Sequence, residues 1–199
     1  MEVYMKSVLM LALVSISFSA SAALKIGDVM PSPARETKMM STKDVAVTIE
    51  QIAKEKKGTL VVFSCNHCPY AKAWDSRISA IGADAQTKGL GVVMINSNDP
   101  TEYPEDGMKG MKMKSYAFPY VVDSTSQIAK DFGATKTPDV FLFDAKGKLV
   151  YKGAVDDNSE SNDKVKKHHL KDAIDAMLNK RKIVEAETVA VGCGIKFRK

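Results

Sequence analysis

Apolar and polar residues follow one another along this chain in blocks that predict strands and helices in turn. Three continuous apolar runs, rich in β-branched and aromatic residues, are typical of buried strands: residues 59–63, 92–95 and 139–143. Apolar positions at helical spacing predict helices over residues 66–87, 108–116 and 126–132, and residues 120–122 are predicted as a strand or extended segment. This order predicts an α/β fold in which helices cover a sheet.

The third apolar run leads into a predicted β-hairpin. Its turn is Asp-Ala-Lys-Gly at residues 144–147, with the glycine where a positive φ is expected, and residues 148–152 return antiparallel. Apolar residues recurring on one side predict a last helix over residues 161–181. The other predictions are a loop at residues 23–38 and a segment at 45–52 that fits a strand or a helix equally well.

Residues 1–22 have the pattern of a secretory signal peptide. Lys6 supplies a positive charge, residues 7–18 are mostly apolar, and Ala20-Ser21-Ala22 is a small-x-small cleavage site. We expect cleavage after Ala22 and secretion across the inner membrane, into the periplasm. An uncleaved membrane anchor is the alternative interpretation. The predicted organisation is a signal peptide at residues 1–22, a domain at 23–182 and a C-terminal tail at 183–199.

Composition narrows the class of protein. With 199 residues, 45% hydrophobic and 27% charged, the chain suits one domain with a packed core. The net charge of +5 is spread over many lysines, so we predict a basic soluble surface and no nucleic-acid partner. No other apolar run approaches 18 residues, so no stable membrane anchor is expected in the mature protein. Three cysteines are too few for a disulfide scaffold.

The candidate chemistry follows the first buried strand, where Cys65 and Cys68 form a C-x-x-C motif before a predicted helix. Working sites of open α/β sheets lie beyond the carboxyl ends of the strands. A helix N-terminus stabilises a thiolate, so we expect Cys65 to cap the helix and attack, and Cys68 to resolve. Two other interpretations are a zinc site, which lacks a second ligand pair, and an inert structural disulfide.

Two further features are candidates for tuning the pair or shaping a substrate groove. His67 lies between the cysteines, where its ring would favour the Cys65 thiolate and make the disulfide a stronger oxidant. The alternative is a solvent-exposed loop histidine. Thr137 and Pro138 precede the third strand, and a cis Pro138 would turn its backbone towards the cysteines. The alternative there is an ordinary loop proline.

Three blocks carry a resemblance to a known family: FSCNHCPYAKAW from residue 63, TPDVFLFDAKGKLVYKGAVDDN from 137 and VGCGIKF from 191. They resemble a peroxiredoxin-like (redoxin, AhpC/TSA-like) branch of the thioredoxin superfamily. The resemblance implies a thioredoxin-like fold with a central mixed sheet flanked by helices. It also implies Cys65 and Cys68 as a redox pair, a cis Pro138 and no bound cofactor. The expected partners are protein or small-molecule thiols and disulfides, including an unidentified redox partner.

The sequence departs from true peroxiredoxins in their P-x-x-x-T-x-x-C motif. Aligning Cys68 with the peroxidatic cysteine places Cys65 at the threonine and Val61 at the proline, and leaves Lys136 as the nearest basic candidate. We therefore expect an exported thiol–disulfide oxidoreductase. A thiol peroxidase that uses Cys68 is the alternative.

The remaining candidates are a third thiol and a methionine-rich segment. Cys193, flanked by two glycines that suggest a mobile backbone, is either a third redox thiol or a buried tail residue. Soft thioethers suit cuprous ion, so a copper-binding redox chaperone is a second alternative. Its candidate ligands are Met108, Met111 and Met113. Packing of a helix is the simpler interpretation of that segment, and we predict no metal.

Overall fold

The computed structural model describes residues 23–199, so the predicted signal peptide lies outside the described residues. The strands are β1 Met39–Ser41, β2 Ala46–Val47, β3 Gly58–Phe63, β4 Gly91–Asn96, β5 Tyr120–Val122, β6 Lys136–Thr137, β7 Asp139–Asp144, β8 Leu149–Gly153 and β9 Cys193–Gly194. The helices are α1 Ser32–Glu36, α2 Ile49–Ala53, α3 Pro69–Thr87, α4 Met108–Met111, α5 Gln127–Phe132 and α6 His169–Leu178. None of these helices has the length and apolarity needed to cross a membrane.

Seven strands form a mixed sheet in the order β2-β1-β5-β4-β3-β7-β8. Strands β3, β4 and β5 run parallel, whereas β7 pairs antiparallel with β3 and with β8. Every residue of β3 and β4 is buried, as their continuous apolar runs predict. Strands β6 and β9 form a separate two-stranded sheet, which joins the C-terminal tail to the segment before Pro138.

Helices cover both faces of the sheet, which confirms the predicted α/β architecture. One core contains the buried residues of α1, α2 and α5, including Phe132, and the other contains those of α3 and α6, including Trp74 and Ile174. The hairpin between β7 and β8 turns at Gly147, whose φ is +73°, as the sequence predicts. The carboxyl ends of β3 and β4 remain at one edge of the sheet, where the candidate site lies.

Three of the helix predictions were too long, and the helix predicted from residue 66 begins at Pro69. The last helix begins at His169 rather than at residue 161, since only a 3₁₀ turn, Asn162–Lys164, precedes it. The Asp157 carboxylate accepts the backbone N–H of Lys166, which draws this charged segment into a loop. Helix α4 ends at Met111 instead of continuing to residue 116.

Two N-terminal segments, one undecided and one predicted as a loop, also contain regular structure. Residues 45–52 contain both predicted alternatives, because β2 passes into α2 at Thr48, whose side chain caps the helix. Residues 23–38, predicted as a loop, contain the short helix α1.

Candidate functional site

The site gathers three cysteines from distant parts of the sequence. Cys65 follows the end of β3, Cys68 immediately precedes α3, and Cys193 belongs to β9. Cys65, Cys68 and Ala71 form a buried cluster against which Cys193 packs, and all three cysteines are free thiols. Cys193 therefore lies beside the C-x-x-C motif, although the two are far apart in the sequence. Cys65 is 5% exposed and Cys68 is 0% exposed, whereas Cys193 is partly exposed.

Thr137 connects the three cysteines. Its hydroxyl oxygen lies 3.2 Å from the Cys65 sulfur, and its carbonyl oxygen lies 3.3 Å from the Cys68 sulfur. The same residue pairs with Cys193 in the antiparallel register of β6 and β9. The peptide bond between Thr137 and Pro138 is cis, as expected from the family resemblance. The structure therefore places the Thr-Pro pair beside the thiols rather than in an unrelated loop.

The expectation that Cys65 caps the helix is wrong. Helix α3 begins at Pro69, with proline in its first turn, so Cys68 is the N-cap residue. A hydrogen bond from the Cys65 thiol, together with contributions from Cys193 and the Ala71 N–H, outweighs burial and lowers the pKa of Cys68 to about 4. The negative charge of the reduced pair therefore rests on Cys68, at the positive end of the helix.

The other two thiols are held protonated around this thiolate. The pKa of Cys65 is raised well above its ordinary value by its hydrogen bond to Cys68 and by burial, despite the Thr137 hydroxyl. Burial and a hydrogen bond to Cys68 raise the pKa of Cys193 to about 11. Cys68 is thus the central sulfur, with one protonated thiol on each side.

His67 is held by a buried carboxylate. Its Nδ1 lies 2.5 Å from Oδ2 of Asp106, and its ring stacks on Tyr103 with centroids 3.9 Å apart. Its side chain is only 9% exposed, so it is not a solvent-exposed loop histidine. One ring nitrogen lies within 4.8 Å of the Cys65 sulfur, but the hydrogen bond of Nδ1 goes to Asp106 rather than to Cys65.

Asp106 is a site residue that the sequence did not reveal. It is 1% exposed, and its Oδ1 accepts the backbone N–H groups of Asn66 at 2.6 Å and His67 at 3.2 Å. Its Oδ2 accepts the Asn98 amide at 2.8 Å as well as the His67 ring. Both oxygens therefore fix the loop between the cysteines, and only the position of Asp106 in an Asn- and Asp-rich loop hinted at this role.

The side chains that could bind a metal at this site instead hold the loop between the cysteines in place. Cys65, His67 and Asp106 each offer a donor atom within 4.8 Å of the others, yet the carboxylate oxygens are already occupied by hydrogen bonds. The methionines proposed for copper do not converge on one point, because Met111 is fully buried whereas Met113 is 86% exposed.

Comparisons with known proteins agree with this fold. The Redoxin family pattern matches residues 25–170. The chain belongs to the redoxin family. The crystal structure of an uncharacterized conserved protein from Geobacillus kaustophilus is 32% identical, with a TM-score of 0.78, and the match covers 87% of this chain and 93% of that one. A hypothetical protein from Sinorhizobium meliloti 1021 is 31% identical, with a TM-score of 0.78 and coverage of 89% and 97%.

A more distant match extends the fold comparison. The structure of a putative thiol:disulfide interchange protein DsbE from Chlorobium tepidum is 21% identical, with a TM-score of 0.59, and the match covers 78% of this chain and 99% of that one. No curated protein matches the sequence. Redoxin membership and the gathered thiols support a thiol redox function, and the fold is thioredoxin-like.

Proposed function

We propose that this chain is an exported thiol–disulfide oxidoreductase that cycles Cys65 and Cys68 between dithiol and disulfide. The observation that carries the proposal is the placement of both sulfurs against Thr137, beyond the carboxyl end of β3 and at the N-terminus of α3. The direct hydrogen bond between the two thiols is the contact from which a disulfide forms on oxidation.

The assigned roles follow the charge distribution. Cys68 holds the thiolate and is the attacking sulfur of the reduced protein, because the hydrogen bond from the Cys65 thiol and its place at the N-terminus of α3 lower its pKa. Cys65 is the resolving thiol. It loses its proton and attacks the Cys68 sulfur of the mixed disulfide, so that a Cys65–Cys68 disulfide forms and the partner's sulfur leaves as a thiol. His67 orients the loop between them through Asp106. Thr137 and Pro138 form the wall of the substrate groove. The proposed partners are thiols and disulfides of proteins or small molecules.

The experiment is disulfide mapping coupled to turnover. We expect mild oxidation of the purified protein to give a Cys65–Cys68 disulfide, and the reduced protein to accelerate reduction of insulin disulfides by dithiothreitol. Cys68→Ser should abolish both. A folded Cys68→Ser protein with full insulin activity would refute the assignment.

Export is proposed from the signal-peptide pattern of residues 1–22. N-terminal sequencing of the protein purified from its own cells should find a mature chain that begins at Ala23. A chain that retains residue 1 would contradict the proposed cleavage.

A thiol peroxidase is the second candidate, and the lowered pKa of Cys68 is the observation that favours it. A peroxide is smaller than a protein disulfide and needs less access to this buried sulfur. The basic residue suggested for binding peroxide, Lys136, is exposed on β6. Consumption of hydrogen peroxide by the reduced protein, lost in Cys68→Ser and faster than insulin reduction, would replace the first proposal with this one.

A further inference from the structure

Both thiols of the proposed redox pair are buried, which limits the access of a partner protein. Cys68 has no exposed surface and Cys65 is 5% exposed, so a partner's thiol reaches a disulfide between them only if the residues that cover it move aside. Cys193 packs against the same cluster but is partly exposed. It is the one cysteine that contacts both the buried sulfurs and solvent.

Cys193 is held there by a docked strand. Strand β9 pairs antiparallel with β6, with Thr137 opposite Cys193 and Lys136 opposite Gly194. Ile195 follows directly: its N–H donates to the Thr135 carbonyl at 3.0 Å, and its side chain is 7% exposed within the core beneath the sheet.

The tail is also anchored further from β9 on both sides. Before it, the backbone pairs with β8, since Thr188 N–H donates to Lys152 O at 3.0 Å. After it, Lys196 N–H donates to Asn98 Oδ1 at 2.8 Å, and Arg198 N–H donates to Ser126 Oγ at 2.9 Å. Asn98 also donates to Asp106, so the tail shares hydrogen bonds with the network that holds His67.

We propose that Cys193 is a third redox-active thiol, which takes over the disulfide from the buried Cys65–Cys68 pair and presents it to the redox partner as a Cys68–Cys193 disulfide. This inference rests on the proposed function, because it needs Cys65 and Cys68 to be the primary pair. It adds the route by which electrons pass between the buried sulfurs and a partner that bears thiols.

The first step is a disulfide exchange that leaves the protein's oxidation state unchanged. The Cys193 thiolate attacks the Cys68 sulfur, a Cys68–Cys193 bond forms and the Cys65–Cys68 bond breaks. The electron pair goes to the Cys65 sulfur, which takes up a proton in place of the one that Cys193 lost. Oxidation of Cys68 also removes the thiolate that hydrogen bonds to Cys193 and helps to hold its proton.

The second step reduces the protein. A partner's thiolate attacks the Cys193 sulfur, and Cys68 leaves with the electron pair. The partner's second thiol then attacks the mixed disulfide and releases Cys193, so that two partner thiols become one disulfide as the protein's disulfide becomes two thiols. A thiol with a low pKa leaves fastest, and Cys68 has a pKa of about 4.

The test is acid-quenched disulfide mapping after oxidation with diamide. In Cys65→Ser, we expect an intramolecular Cys68–Cys193 disulfide in monomeric protein, and in the wild-type protein a mixture of Cys65–Cys68 and Cys68–Cys193. Two free thiols or only intermolecular dimers in a folded Cys65→Ser protein would overturn the inference. So would the absence of Cys68–Cys193 from the wild-type protein, a measurement that needs no variant.

Cys193→Ser separates this inference from the proposed function. If Cys193→Ser forms no Cys65–Cys68 disulfide, the proposed function fails. If it forms that disulfide while Cys65→Ser forms none, only the role of Cys193 fails. When the oxidised wild-type protein is mixed with reduced glutathione and quenched with acid, we expect the glutathione adduct on Cys193. An adduct on Cys65 instead would contradict the route.

The two glycines beside Cys193 provide a matched pair of variants. A Cβ on Gly192 would lie 2.2 Å from the Thr137 carbonyl oxygen, whereas a Cβ on Gly194 would lie 4.0 Å from its nearest neighbour. Gly192→Ala should therefore shift β9 and slow formation of Cys68–Cys193 at least tenfold, with Cys65–Cys68 formation unchanged. Gly194→Ala should stay within twofold of wild type. Equal rates in the two variants would show that docking of β9 does not matter.

Discussion

Asp139 allows a quantitative test of burial beside the site. It follows Pro138 and is 8% exposed, and its carboxylate has a long contact of 3.5 Å with the Thr135 N–H. Burial raises its pKa from 3.8 to about 7, because the backbone N–H groups of Thr135 and Val140 and the charge of Lys152 compensate only in part. At 1.36 kcal/mol for each unit of pKa, this change corresponds to a free-energy difference of about 4 kcal/mol.

The raised pKa of Asp139 makes the stability of the folded protein depend on pH. The folded protein binds the Asp139 proton more tightly than the unfolded chain does, so ionisation of this carboxyl favours unfolding. The stabilisation that comes from the protonated Asp139 carboxyl is fully present below about pH 4, where this group is protonated in both the folded protein and the unfolded chain. This stabilisation is lost as the pH rises from about 4 to about 7 and stays lost above that.

Asp139→Asn removes the ionisation while keeping the shape of the side chain. We expect the variant to be more stable than wild type by up to about 4 kcal/mol at pH 8, and similar to wild type near pH 4. The measurement is urea unfolding followed by circular dichroism at several pH values, and only the difference between the two proteins is used. The exposed Asp163→Asn is the control and should stay within about 0.5 kcal/mol of wild type. A gain that does not depend on pH, or a loss at pH 8, would refute the reasoning.

Two other predictions concern the thiols and the network that holds them. Ile195→Ala removes the side chain that anchors β9 and opens the site to reagents. Iodoacetamide should then label Cys68 at pH 5 before Cys65, because the pKa of Cys68 is lowered and that of Cys65 is raised. Labelling of Cys65 first would restore it as the attacking sulfur. Asp106→Asn places an amide N–H₂ against the donors that face Oδ2. Urea unfolding should therefore show that the free energy of unfolding falls by about 1–3 kcal/mol. Unchanged stability would mean that the amide restores the network.

Local sequence patterns were sufficient for the centre of the fold. Strands β3, β4 and β7 are continuous apolar runs with both faces buried, and such runs are typical of the interior of a sheet that helices cover. The limits of α4 and α6 were not predictable in the same way. They depend on where a particular hydrogen bond, such as that from Lys166 to Asp157, draws the backbone out of the helix.

The motif predicted where the thiols lie but not how charge is divided between them. Placing Cys65 at the cap assumed that the helix begins inside the C-x-x-C, whereas Pro69 fixes the first turn one residue after Cys68. Asp106 lies 39 residues from His67 and has no local signature, so its role depends on the fold alone. A buried carboxylate that accepts two backbone N–H groups is recognisable only when its partners are in place.

The glycines around Cys193 show how one sequence feature supports opposite interpretations. From the sequence they suggested an open and mobile tail, because glycine has few steric restrictions. In the structure, the absence of a Cβ at Gly192 has a different effect: it allows the backbone to lie close to the Thr137 carbonyl oxygen. In a mobile tail, Cys193 would have a low effective concentration near Cys68. The docked strand β9 instead holds Cys193 against the Cys68 sulfur at a high effective concentration. The rate of Cys68–Cys193 formation in Gly192→Ala therefore distinguishes a flexible arm from a built-in third thiol.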